Sequence, residues 1–193
     1  QLANVRAYLA FMWAHPGKQL IFMGVELGQE AEWAESRSLD WWLEETPWHA
    51  GLQQLVRDLN RVYKATPALW EVDFAPDGFE WIDANDSAHN TFSFIRWNKA
   101  RTQPLVAITN FSGVPDENYR VGLPYAGRWR EVLNSDAGYY SGSGVGNLGV
   151  VQAEDIPWHG RPASAQLRVP PLGAVWLVPE IEPAVEAAAE PSD

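Results

Sequence analysis

Residues 18–42, KQLIFMGVELGQEAEWAESRSLDWW, constrain the fold of this chain more than any other stretch. They open with an unbroken apolar run, Gln19-Leu-Ile-Phe-Met-Gly24, and then switch to acids, an amide, glycine and tryptophan. A short continuous apolar run suits a strand buried on both faces, as in a parallel sheet, because neither face of such a strand alternates to polar. The polar residues that follow would then sit at the strand's C-terminal end. Parallel α/β folds, and (β/α)8 barrels above all, carry their sites at that end. The expectation is a buried strand at 19–24 and a functional loop at 25–46.

The flanking segments fit that reading. Leu2, Val5, Leu9 and Met12 recur at spacings of three and four and predict a helix that His15-Pro16-Gly17 stops. A second helix begins at Thr46-Pro47, where threonine can cap and proline suits the first turn. Leu52, Leu55, Val56, Leu59, Val62 and Tyr63 give it an apolar stripe, and Thr66-Pro67 ends it. Helix, strand, loop, helix is one turn of a parallel α/β structure. A single such strand leaves its amides and carbonyls unpaired. Residues 1–66 therefore need cover from other barrel segments, from another chain or from a rearranged packing.

Beyond Pro67 the period changes. Short strand-like runs occur at 79–82, 91–97, 105–109, 119–123, 128–133, 165–169 and 174–178. Asp77-Gly78, Asn85-Asp86, Ala126-Gly127 and Pro170-Pro171 punctuate them, the pattern of an antiparallel sandwich. Residues 134–149 are rich in glycine and serine and read as a long loop. From Pro179 the composition becomes Glu-, Ala- and Pro-rich, and 179–193 is expected to be an acidic disordered tail.

The formal charge of -11 repels nucleic acid and anionic membrane surfaces, so neither is expected as a partner. No apolar run approaches the ~20 residues that cross a bilayer. The absence of cysteine removes disulfides and thiolate chemistry and fits a reducing, cytoplasmic setting. His15, His49, His89 and His159 are scattered without metal-ligand spacing, so no metal is expected. The run GSGVGNLG at 142–149 lacks the Lys-Ser/Thr and the strand-loop-helix setting of a phosphate loop. Eleven tryptophans admit two readings: rings that stack on sugars, or large aromatics that fill a sandwich core. Trp81, Trp97 and Trp129 form a sugar-stacking surface only if exposed; core packing is the default for each. The chain starts at Gln1 with a helical pattern already running, which reads as a piece of a longer protein.

Several stretches together carry a family resemblance. WAHPGKQLIFMGVELGQ, EWAESRSLDWW, GLQQLVRDLNRVYKATPAL, FEWID, TNFSGVP, YRVGLP, GRWREVLNSD and DIPWHGRPASAQLRVPPLGAVWLVP occur in this order. So arranged, the chain resembles the C-terminal part of the 1,4-α-glucan branching enzymes (glycogen branching enzymes) of the α-amylase superfamily, from residue 1 to about residue 178. It departs from that family's usual pattern at Gly24-Val-Glu-Leu-Gly28, where the family has a second glycine and a phenylalanine. Val25 and Leu27 stand there instead.

The resemblance implies an architecture. Residues 1–70 would be the C-terminal end of a (β/α)8 TIM barrel, with helix seven at 1–14, strand eight at 19–24 and helix eight at 47–66. Residues 71–178 would form an antiparallel C-terminal β-sandwich, followed by the tail at 179–193. It also implies a reaction: cleavage of α-1,4 linkages and transfer of the freed segment to form α-1,6 branches in glycogen biosynthesis. Such a retaining transfer needs two carboxylates about 5–5.5 Å apart. In the family these lie on earlier barrel strands, so no catalytic residue and no cofactor is expected here. The expected partners are an α-glucan (glycogen or amylose) and the missing barrel segment of the same protein.

Within the loop, Glu26 would position substrate or cap backbone amides, and Gln29 would bond glucose hydroxyls or face solvent. Trp33 would stack on a glucosyl ring or anchor the loop, and Asp40-Trp41 would pin the loop to the barrel rim. Two further readings stand beside the branching enzyme. One is a non-catalytic glucan-binding or accessory β-sandwich module. The other is a different α-amylase-superfamily enzyme such as a trehalohydrolase.

Overall fold

The structure, a computed structural model, describes residues 1–180. The part of the expected tail from residue 181 onward lies outside the described residues. Two long helices, α1 (Leu2–Ala14) and α2 (Pro47–Ala65), bracket a long irregular segment that contains only short 3-10 turns. Eight strands follow: β1 (Phe79–Asp86), β2 (Thr91–Trp97), β3 (Pro104–Asn110), β4 (Asp116–Leu123), β5 (Gly127–Asn134), β6 (Val150–Glu154), β7 (Ala163–Val169) and β8 (Gly173–Pro179). They pair antiparallel throughout, in the order β1-β2-β3-β8-β5-β6-β7-β4. All seven sequence-predicted strands form. The eighth, β6, has a clear inward-outward pattern (Val151 and Ala153 buried, Gln152 and Glu154 exposed) but no turn signal of its own after the glycine-rich loop.

The sheet curls back on itself and makes two apolar layers. One face of β2, β3 and β8 carries Ile95, Val106, Ile108, Val175 and Leu177 into an inner cluster. Opposite them, β4, β6 and β7 contribute Tyr119, Val121, Leu123, Val151, Leu167 and Val169, with the fully buried Trp129 of β5 among them. The other face of the same three strands carries Phe94, Leu105, Ala107, Ala174 and Trp176 outward, and there the helices cover it. Burial on both faces explains why β3 and β8 read as near-continuous apolar runs. The register shift between Glu131 and Leu133 lets β5 serve both layers. Trp129 lies in the inner cluster and Leu133 under the helices, although an unbroken strand would put them on one face.

Both helices lie in the second layer. Leu9, Ala10, Trp13 and Ala14 of α1 pack with Leu52, Leu55, Val56, Leu59 and Val62 of α2 against the sheet. The stripe on α2 predicted from sequence is the one buried. Trp13 Nε1 donates to Asn60 Oδ1 at 3.1 Å and joins the helices directly.

The strand expected at 19–24 does not form. Residues 18–22 have no regular structure, and Leu20, Phe22 and Met23 are 80%, 60% and 50% exposed. A parallel strand exists only where neighbours accept and donate its hydrogen bonds, and among the described residues no strand pairs with this run. An apolar run reports a preference for burial and leaves both the conformation and the covering partner open. Among the described residues α1 and α2 flank no strand, and the apolar faces of both helices are covered by the sheet.

This packing predicts the outcome of limited proteolysis. The first cuts should fall within residues 18–46, with α1 and α2 remaining protected and bound to the sheet under native conditions. Recovery of a stable core that starts near residue 68, with both helices lost, would contradict it.

Candidate functional site

The long segment between the helices carries the residues singled out from sequence, and polar contacts hold both its ends. At its start, Asp73 Oδ1 accepts from the amide of Gly17 at 3.2 Å, and its Oδ2 accepts from Lys18 Nζ at 3.3 Å. Asp73 is itself held by Arg96 Nη2 at 2.9 Å. Arg96 has no exposed surface and donates further to the carbonyls of Ala14 at 2.7 Å, Leu69 at 3.1 Å and Gly78 at 3.3 Å. Burial lowers the proton affinity of this guanidinium, and the hydrogen bond and charge of Asp73 oppose that loss. At the far end of the segment, Ser141 Oγ donates to the carbonyl of Pro47 at 2.8 Å.

The middle is anchored by close packing. Gly24 takes a left-handed conformation and starts a 3-10 turn, Val25–Leu27, which Gly28 ends at φ 65°. Leu27 is fully buried, and His49 Nδ1 meets its carbonyl at 2.6 Å. A Cβ at Gly28 would stand 2.7 Å from a methyl of Leu2 and 3.0 Å from one of Leu52. Glycine is therefore required there twice, by conformation and by the approach of the loop to both helices.

Gln29 holds the loop across its width. Its Oε1 accepts from the amide of Asp40 at 3.0 Å, and its Nε2 donates to the carbonyl of Ala31 at 3.1 Å. Asp40 also faces Arg37 at 3.6 Å. Trp33 lies edge-on to Phe22 at 5.6 Å with 41% of its surface exposed. Glu26 is half-buried on the 3-10 turn, and among the described residues no side-chain hydrogen bond reaches it. The three residues do not converge on one cavity. Gln29 lines a cleft of about 990 Å³ between the N-terminal ends of the two helices, together with Arg6, Gly28, Trp48 and His49; Glu26 and Trp33 lie outside it. What the loop presents instead is a series of exposed apolar side chains, Leu20, Phe22, Met23, Trp41 and Trp42, next to the exposed Trp48 in the first turn of α2.

Other groups singled out from sequence have local roles. His15 stacks on Phe11, His89 bonds Asp86, and His159 faces Asp83. The glycine-rich loop wraps a carboxylate of its own chain: Asp136 accepts from the amides of Ser143 at 2.9 Å and Val145 at 3.2 Å. Arg6 reaches that same Asp136 at 3.6 Å and so ties the loop to α1. Asp58 of α2 accepts from Tyr140 at 2.8 Å. Burial alone would push its carboxyl up, but hydrogen bonds from Gln54, Arg61 and Tyr140 outweigh that and hold it below the usual range. Trp97 and Trp129 are buried, whereas Trp81 is 43% exposed. Sequence reasoning passed over Arg96 and Asp73. The available signal was Arg96 itself, a cation placed in β2 where its alternation partners, Phe92 and Phe94, face a core.

Comparison with known proteins places this architecture. Residues 81–180 match the family described as "Alpha amylase, C-terminal all-beta domain". The chain is 59% identical over 177 residues to a 1,4-alpha-glucan branching enzyme GlgB of Leifsonia xyli subsp. xyli, covering 92% of this chain and 24% of the relative. It is 56% identical over 179 residues to the protein of the same name from Mycolicibacterium paratuberculosis, with the same two coverages. The chain thus spans about a quarter of the length of these relatives. Among solved structures, an AmyP variant in complex with maltotriose superimposes with a TM-score of 0.64 at 16% identity, covering 94% of this chain and 35% of that one. A MutB variant soaked with trehalulose gives 0.53 at 14% identity, over 92% and 38% of the two chains. At these identities the structural likeness speaks to the fold.

The buried pair predicts its own cost. Asp73→Asn, which leaves Arg96 charged and sealed from water, should destabilise the chain by about 3–5 kcal/mol in urea unfolding. A loss below about 1 kcal/mol would show that the pair does not hold the segment.

Proposed function

The chain belongs to the α-amylase C-terminal all-β domain family, and from this premise we infer that it acts as the C-terminal part of a 1,4-α-glucan branching enzyme. The observation that carries the inference is the extent of the match. Identity of 59% runs over 92% of the chain, which includes both helices and the loop as well as the sheet. An unrelated enzyme that shared only the β-domain would match from β1 onward.

On this reading residues 1–70 complete a (β/α)8 barrel and residues 71–178 are its C-terminal sandwich, in a cytoplasmic protein. The exposed Leu20, Phe22, Met23, Trp41 and Trp42 are the surface that meets the remaining barrel, because apolar rings on a loop with fixed ends gain most by removal from water. The carboxylates that cut and transfer the glucan belong to that remaining part. This chain contributes a wall for the glucan. Trp33 offers a ring face to a glucosyl unit, Glu26 offers a carboxylate with unused acceptor capacity, and Gln29 keeps the loop in shape while its second amide hydrogen stays available to a hydroxyl.

The test uses the enzyme of relative-like length that contains this chain. Acting on amylose, it should lower the iodine absorbance without a matching rise in reducing ends, since transfer conserves the number of reducing ends and hydrolysis does not. A stoichiometric rise in reducing sugar would favour a hydrolase of the same superfamily. In the same assay Trp33→Ala should raise KM several-fold with a smaller effect on kcat. An unchanged KM would remove Trp33 from the glucan path.

A further inference from the structure

The chain leaves its last strand beside an open groove. This groove, of about 590 Å³, lies between the C-terminal end of α2 and strands β3, β5 and β8. Its apolar lining comes from Val62 and Ala65 of α2, Pro104 of β3, Val132 of β5 and Val178 of β8. Arg61 and Arg130 line it as well, and Lys64 stands in the same last turn of α2. Arg61 pairs with Asp58 at 2.8 Å. Arg130 is exposed and meets no carboxylate among the described residues. Glu131 also lines the groove, but its carboxylate accepts from Asn147 Nδ2 at 2.8 Å and is engaged by the glycine-rich loop.

The end of α2 adds backbone acceptors. A helix end leaves up to about four carbonyls without an intrahelical donor. The Thr66 amide reaches the carbonyl of Tyr63 at 3.2 Å, and the next residue, Pro67, has no amide to offer. Apolar side chains, cations and open carbonyls together select a peptide. A bare anion would leave the apolar lining wet, and a purely apolar ligand would leave Arg130 without a counter-charge. A segment with alternating apolar and acidic side chains and free amides meets all three groups.

Such a segment is tethered at the groove itself. Pro179 lines it, and Glu180 runs on beside β5, its amide donating to the carbonyl of Arg128 and its carboxylate pairing with Arg128 Nε, each at 2.8 Å. Residues 181–193 follow. In them an apolar residue followed by glutamate recurs every four positions: Ile181-Glu182, Val185-Glu186, Ala189-Glu190. The stretch contains no lysine or arginine. Its contour length, roughly 40 Å when extended, is ample for a return to a groove that Pro179 already lines. Charge favours this segment over one from another molecule. A chain of formal charge -11 repels a second acidic chain, whereas a short tether holds its own segment at an effective concentration of ~1 mM or more.

We propose that residues 181–190 dock in this groove of their own chain, with Ile181 and Val185 against the apolar lining and the glutamates toward Arg61, Lys64 and Arg130. The composition of the segment does not order it alone, and the groove supplies the missing apolar surface. The family match ends at residue 180, so the docked segment belongs to this chain and is independent of the branching reading. Deleting 181–193 should shift the NMR amide signals of Ala65, Thr66, Gln103 and Val132 and leave those of β4 and β7 in place. A synthetic peptide of sequence 181–193, added to the shortened chain, should move the same signals back. Arg130→Glu in the shortened chain should weaken that peptide at least about tenfold, and Arg130→Lys should keep most of the binding, with thermal unfolding alike in both. Signals that superimpose with and without 181–193 outside the residues next to the cut would overturn the proposal. So would equal peptide binding by Arg130→Glu, or groove shifts in the complete chain that grow with protein concentration, which would place the segment on a second copy.

Discussion

A guanidinium sealed from water sets the plan of this chain. Arg96 sits on the helix-facing side of β2 and directs its donors to four places distant in sequence: the last residue of α1, the segment after α2, the turn before β1, and Asp73. The Ala14 carbonyl is one that a helix end cannot satisfy internally. Leu69 and Asp73 lie where the chain passes from helix to sheet. An unpaired buried cation costs several kcal/mol, so the three segments must stay in place together. The apolar contacts of α1 and α2 with Phe94, Leu105 and Trp176 supply the larger share of the favourable energy. The polar hub supplies the register.

The loop inherits its order from that hub. Asp73 reaches both Gly17 and Lys18, so the point at which the chain leaves α1 is fixed by the same carboxylate that neutralises Arg96. Leu27, Gly28 and His49 then press the middle of the loop onto the helices. Gln29 spans its width. Glu30, Glu32, Glu35 and Glu45 are exposed carboxylates, and beside them the loop exposes Leu20, Phe22, Met23, Trp41 and Trp42.

Much of the fold was legible in the sequence because periodicity is a direct record of which faces are buried. The stripe of α2 and seven of the eight strands were read correctly on that basis. The run at 19–24 is irregular in this structure. Its residues are apolar, but a strand needs hydrogen-bonded neighbours, and these are not encoded in the run itself. Core packing, the default reading for Trp81, Trp97 and Trp129, holds for Trp97 and Trp129, whereas Trp81 is half-exposed. Glu26, Gln29 and Trp33 were correctly placed on one loop, yet their separation around it depends on Gly24, Gly28 and Asp40, whose contacts are tertiary. Arg96 was visible as a charge at an inward position, and only the structure shows the carbonyls that make it affordable.

Native-state hydrogen exchange tests most directly the claim that helices, loop anchors and sheet form one unit. Amides in the centres of α1 and α2 should open with the same free energy as those in β3 and β8, and with the same dependence on denaturant. Helix amides that exchange through a separate opening of clearly lower free energy, while the sheet stays protected, would contradict it.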